Sequence, residues 1–145
     1  MQFVTQLEKY RFEKYILEVS ISTIERGGIT SQLNTYQFLS GIDAWGFPKY
    51  PAKTVILPPE EDLCEAIKQF VEVNENYLKE PGSYLGTWIN PLTRHCYLDI
   101  TTSCKDLDEA RRQAIAISLR DGRRIVALYH MLRGQLVYLW DDVLA

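Results

Sequence analysis

Three side chains in this sequence are the best candidates for acid/base work: Asp43, His95 and Asp99. Asp43 stands just before the ring- and proline-rich stretch WGFPKYP, while His95 and Asp99 fall within the stretch 84–101. A pocket walled by residues 41–52 and 84–101 would bring the three toward one small substrate. A carboxyl group works as a proton donor or acceptor near neutral pH only when burial or a neighbouring charge moves its pKa. Asp99 also has a plainer reading as a mid-strand carboxylate that faces solvent or bonds Arg124 or His130 on a neighbouring strand. Cys96 and His130 would form a nucleophile–base pair only if their strands were adjacent and in register.

Recognised catalytic signatures are missing. The sequence contains no G-x-x-x-x-G-K-[ST], G-x-S-x-G or H-E-x-x-H pattern. Cys64, Cys96 and Cys104 are odd in number and form no C-x-x-C pair, which argues against a disulfide framework. His95 and Cys96 are consecutive, and consecutive strand residues point to opposite faces, so they do not make half a metal cage. No metal and no cofactor is expected.

Two other groups suit binding better than catalysis. Trp45, Phe47 and Tyr50 alternate with Gly46, Pro48 and Pro51. Rigid rings in a proline-stiffened segment suit a partner-binding surface, or a strap that anchors a long loop to the core. The second group is a block of arginines between Arg111 and Arg133. Arg111, Arg112, Arg120, Arg123 and Arg124 would gather where a helix ends and the next strand begins, as phosphate contacts require. The net charge of −3 and the pI near 5.4 oppose a nucleic-acid role, and no RNP-like aromatic motif is present.

The elements that must position these residues can be read from hydrophobic spacing. Residues 106–122 read as a helix: Asp106 and Glu109 make a capping-box-like start. Leu107, Ala110, Ala114 and Ile117, widened by Ile115 and Leu119, recur at helical spacing. Gly122 supplies a left-handed stop. Residues 60–79 read as a second helix, with acidic residues on the first turn and Pro81-Gly82 beyond its end.

SYLGTWIN and RHCYLDITTS form a hairpin about the turn Asn90–Arg94. Cys96, Leu98 and Ile100 share one face of it, and Tyr97, Asp99 and Thr101 the other. KTVIL, RRIVALYHML and QLVYLW read as strands, the last two joined at Arg133-Gly134. The order over 53–130 is β-α-β-β-α-β, which predicts an α+β domain with a ferredoxin-like core and an extra hairpin strand at 135–140. Both helices would pack on one sheet face.

Residues 2–25 are read as a helix with an apolar stripe of Phe3, Leu7, Tyr10, Leu17, Ile21 and Ile24, interrupted by Lys14 and ended at Gly27-Gly28. Residues 29–52 are expected to be mostly loop, with a short helix at 33–39. The 145 residues suit one domain, 1–145, with one core. No apolar run approaches a membrane span and no secretion signal opens the chain, so a cytoplasmic protein is expected.

The stretch GTWINPLTRHCYLDITTSCKDLDEARRQAIAISLRDGRRIVALYH resembles small associated domains of bacteriophage and mobile-element (large polyvalent) proteins. The resemblance spans residues 86–130 and rests on Gly86, Thr87, Trp88, Asn90, Pro91, Thr93, Tyr97, Leu98, Asp99, Asp106, Glu109 and Ala110. Arg94 and Arg123 stand where those domains often carry Gly and Gln. The resemblance implies an accessory or interaction role rather than a defined reaction. The expected function is therefore a non-catalytic module that binds a protein partner or a second copy of itself. The pocket enzyme and the nucleic-acid module are the alternatives.

Overall fold

The computed structural model describes residues 1–141. The protein is α+β: one eight-stranded sheet, antiparallel at every pairing, with its helices on one face. In chain order the elements are α1 (Gln6–Arg26), β1 (Gly28–Gln32), β2 (Gln37–Phe38), β3 (Trp45–Pro48) and β4 (Val55–Leu57). They continue with α2 (Leu63–Val73), α3 (Glu75–Leu78), β5 (Tyr84–Ile89), β6 (Cys96–Cys104), α4 (Leu107–Asp121), β7 (Ala127–His130) and β8 (Leu136–Tyr138). The strands lie in the order β2-β1-β5-β6-β3-β7-β8, and β4 pairs with β6 beyond the end of β3.

Local chemistry explains the element ends. Asp106 and Asp62 accept the backbone N–H three residues on, as N-caps should. Gly27 and Gly122 take left-handed φ values of 83° and 67° and close α1 and α4. The predicted helix over 60–79 is shorter and broken. Its acidic lead-in forms a turn, and Asn74 interrupts it between α2 and α3 while its side-chain amide donates to the Phe70 carbonyl.

Residues 29–52 differ from expectation. They form three strands, with no helix at 33–39. Trp45-Gly46-Phe47-Pro48 is a strand at the centre of the sheet, paired with β6 on one side and β7 on the other. Pro48 stands at its last position, where a missing N–H costs least. The lane beside β6 is thus shared: β3 covers Thr101–Cys104, the chain bulges out through a 3-10 turn at Pro51–Lys53, and β4 covers Cys96–Leu98. β7 pairs with β3, not with β4.

The helical face of the sheet carries two clusters. Phe12, Tyr15, Ile16 and Val19 of α1 pack with Leu85, Leu98 and Ile100, and with Ile67 and Phe70 of α2. Trp45, Phe47, Leu128 and Ile125 pack with Ala110 and Ala114 of α4. The face that α1 buries is the reverse of the stripe read from the sequence. Leu7, Tyr10, Leu17, Ile21 and Ile24 point outward. The helix is apolar on two sides, and the inner side is the one that carries Phe12 and Tyr15. The Tyr15 hydroxyl meets the Ser31 hydroxyl at 2.5 Å, which satisfies its polar end in the core.

Three hairpin turns close the same way, with a backbone N–H reaching the carbonyl four residues back at Tyr36, Arg94 and Gly134. All three of these residues have positive φ. Tyr36 is held there by stacking on Tyr15 at 4.6 Å, and Gly134 meets no steric penalty. Arg94, at φ 65° and exposed, carries the strain of a Cβ in the left-handed region. Arg94→Gly is expected to stabilise the protein by about 0.5–1 kcal/mol after the extra entropy of an unfolded glycine is subtracted. Urea unfolding of the two proteins measures this, and a loss of stability would show that the side chain holds the turn.

Candidate functional site

Among the described residues no helix covers the sheet's other face. By register it carries Gly28 and Thr30 of β1, Gly86 and Trp88 of β5, Tyr97, Asp99 and Thr101 of β6, Gly46 of β3 and Tyr129 of β7. Glycines at alternate strand positions remove the side chains that would fill this surface. The sheet also curls. Although four lanes separate β1 from β8, Thr30 and Leu136 line one groove of about 250 Å3. Its wall is mostly apolar, with Trp88 and Tyr129 among its rings and Arg26, Thr30, Asp99 and Thr101 among its polar residues.

Asp99 is the chemically distinctive group. It sits in mid-strand on β6, opposite Gly86, where the neighbouring lane bulges out between β3 and β4. The Thr54 hydroxyl donates to its Oδ1 at 2.5 Å, and the Arg123 guanidinium donates to the Thr54 carbonyl at 2.8 Å. Burial pushes the carboxyl up to about 6, against the Thr54 hydrogen bond and the charge of Arg123, which pull it down. Because the unfolded carboxyl loses its proton near 3.8, the folded state holds that proton more tightly. The associated stability is full below that value, falls as pH rises to about 6 and is constant above it. Asp99→Asn keeps an acceptor for Thr54 and removes the buried charge. It is expected to stabilise the protein by about 1–3 kcal/mol at pH 7.5 and by almost nothing at pH 3.5. Denaturant unfolding at both pH values checks this; equal effects at the two would rule out the titration as the cause.

The other acid/base candidates lie elsewhere. Asp43 pairs with His130 Nε2 at 2.9 Å. His130 Nδ1 accepts the Arg133 backbone N–H, so Nε2 carries the ring proton toward Asp43. His130 is wholly buried on the helical face, edge-on to Trp45. His95 lies in the β5–β6 turn region, and its N–H is held by Thr93. The proposed walls, 41–52 and 84–101, do both contribute to the groove, through Gly46, Phe47 and Pro48 and through Gly86–Ile89, but of the three candidates Asp99 alone lines it. Cys96 pairs with Leu57 and Ile89 at the far end of β6 from His130's lane neighbour Trp45, so the two make no nucleophile pair. Burial raises the Cys96 thiol to about 11, which keeps it protonated and unreactive. Among the described residues no group of His, Cys, Asp and Glu is arranged to hold a metal.

Trp45 and Phe47 are each 2% exposed, and this corrects their assignment to a partner surface. Strand alternation turns both rings into the cluster under α4. Tyr50 is half-buried and donates to Glu80 at 2.7 Å, edge-on to Tyr77. The arginine block does not form an open patch either. Arg120 donates to the Lys49 carbonyl and pairs with Asp121, Arg123 holds Thr54, and Arg112 pairs with Glu109. The Arg124 guanidinium lies over Trp140 at 4.5 Å, and Arg111 stays exposed on α4. Two of these arginines are thus staples for the 49–54 bulge.

Sequence reasoning singled out Asp99 and set Thr101 on its face, but missed Thr54 and Tyr129. The usable signal is Gly86 inside a strand-like run, which marks close backbone approach or an emptied face; Gly28 and Gly46 fall at a helix stop and in an expected loop. No helix among the described residues is long and apolar enough to cross a membrane. The chain matches no protein-family model, no curated protein and no solved structure.

Proposed function

We propose that this protein is a non-catalytic binding module whose recognition site is the concave groove of the sheet, and that an apolar segment of a protein partner occupies it. The observation that carries the reading is the groove itself: an uncovered, glycine-emptied sheet face, walled by Trp88 and Tyr129, with one buried carboxyl at its floor. Largely apolar concavities with a few placed polar groups are what binding sites look like. The carboxyl would orient the occupant by accepting a hydrogen bond, and a buried charge that costs stability above pH 6 makes sense where it is used.

The enzyme alternative keeps Asp99 as its acid or base, but Asp43 and His95 are not beside it. The nucleic-acid alternative has rings on an open sheet face, yet Arg112, Arg120, Arg123 and Arg124, four of the five arginines it relied on, are engaged by neighbouring groups. A ferredoxin-like description belongs to the same proposal in a narrower sense, with β3 and β4 taken as two halves of one lane between β7 and β6. A cytoplasmic setting fits three free cysteines. The resemblance to phage and mobile-element domains would make the role an accessory one.

A photo-crosslinking amino acid at position 129 tests the reading in cells that make the protein. The expected result is a covalent adduct to a polypeptide that is lost on Trp88→Ala and absent when the crosslinker stands at Glu72 on α2. Adducts to nucleic acid alone, or equal capture at both positions, would refute it.

A further inference from the structure

The outer face of α1 is apolar at positions 7, 10, 17, 21 and 24, with Lys14 completing the series. The spacing is three and four in alternation, the repeat of a coiled-coil seam. Leu7 is 56%, Tyr10 66%, Leu17 51%, Ile21 45% and Ile24 68% exposed. The opposite face of the same 21-residue helix is in the core, so this stripe serves no folding role within the described residues. An apolar strip along a whole helix is larger than scattered surface residues account for.

We infer that α1 pairs with α1 of a second copy, antiparallel, about a two-fold axis between Lys14 and Leu17. The flanking charges select both the occupant and the direction. Antiparallel seams pack each first-type position against the second type of the other helix. Leu7 then meets Ile24 of the other copy, Tyr10 meets Ile21, and Lys14 meets Leu17 rather than another lysine. The flanking positions 11 and 18 face each other across the axis, so Arg11 meets Glu18 twice. A parallel pair would instead set Glu13 against Glu18 and Lys14 against Lys14, which is repulsive. Antiparallel helix dipoles are favourable as well. The polar flanks are mixed in sign, with Glu13, Glu18 and Glu25 beside Arg11 and Lys14, which disfavours an anionic lipid surface as the occupant.

Sedimentation equilibrium of the full chain tests this. The wild type is expected to be a dimer. Ile21→Glu should raise the dimer Kd on the order of 30-fold or more, because it sets a carboxylate into the seam against Tyr10 at two symmetry-related places, while the far-UV circular dichroism stays that of wild type because the residue is exposed within its own chain. Arg11→Glu and Glu18→Arg should each weaken the dimer, and the double variant should restore it. A wild type that stays monomeric overturns the inference, as does a dimer indifferent to Ile21→Glu. A dimer weakened by Ile21→Glu but not rescued by the charge swap overturns the antiparallel register. Monomers that sediment instead with phosphatidylcholine–phosphatidylserine vesicles assign the face to a lipid surface and overturn the second copy.

Discussion

Phe47→Ala is expected to destabilise the protein by about 3–5 kcal/mol, and Trp45→Ala by a similar amount. Both rings are almost fully enclosed. Each sits on β3, which pairs with β6 and β7, so the cavity left behind is bounded by strand backbone on two sides and cannot collapse easily. Trp45 also forms the edge contact with His130 at 4.9 Å. Losing it exposes an imidazole whose two nitrogens are already committed to Asp43 and the Arg133 backbone. Domains of this size have total stabilities of roughly 5–15 kcal/mol, so either variant removes a large share, with a melting temperature lower by on the order of 10 °C. Phe47 lies at the groove wall, but its side chain is buried in the cluster under α4, and a folded fraction of Phe47→Ala should keep the crosslink at position 129. Normal stability with a lost crosslink would instead mean that the ring is part of the recognition surface.

Trp45 and Phe47 mark a limit of what the sequence makes legible. Alternation of ring and non-ring over 45–48 is a strand signal, but Gly46 and Pro48 are poor strand residues by propensity and made the segment look like loop. Tertiary pairing on both sides outweighs that preference. The hairpin of β5 and β6 and the capped helix α4 were legible, because turn, cap and period-two signals there all agree. Helix α1 was legible as a helix and not as an orientation. Two apolar faces satisfy the same periodicity, and which one faces the core depends on where β1 and β5 lie. Asp99 could be placed on a strand face from its spacing. That the face is uncovered, and that Thr54 of a bulged lane reaches the carboxyl, are long-range facts that no local pattern carries.

The glycines of the groove provide a sharper test of how that face is built. A Cβ at position 28 would come 2.5 Å from the Thr87 carbonyl oxygen, a backbone atom in the paired strand. A Cβ at position 86 would come 2.0 Å from the Thr101 hydroxyl, a side-chain atom. Both clashes demand movement, but only the second can be relieved by changing a neighbour. Gly28→Ala is therefore expected to cost about 2–3 kcal/mol or more, because the β1–β5 ladder must shift. Thr101→Ala should leave that loss untouched. Gly86→Ala alone should cost about 1–3 kcal/mol, and part of it should return in the Gly86→Ala, Thr101→Ala double variant, which removes the hydroxyl but keeps the Thr101 Cβ at 3.1 Å. The cycle measures the coupling of the two residues, which lie on adjacent strands. A Gly28→Ala protein as stable as wild type would mean that the two strands can separate locally without penalty. The groove floor would then be a yielding surface rather than a preformed one. Equal losses in Gly86→Ala with and without Thr101→Ala would place the strain in the β5 backbone, and the emptied face would owe its shape to strand twist instead of to the missing side chains.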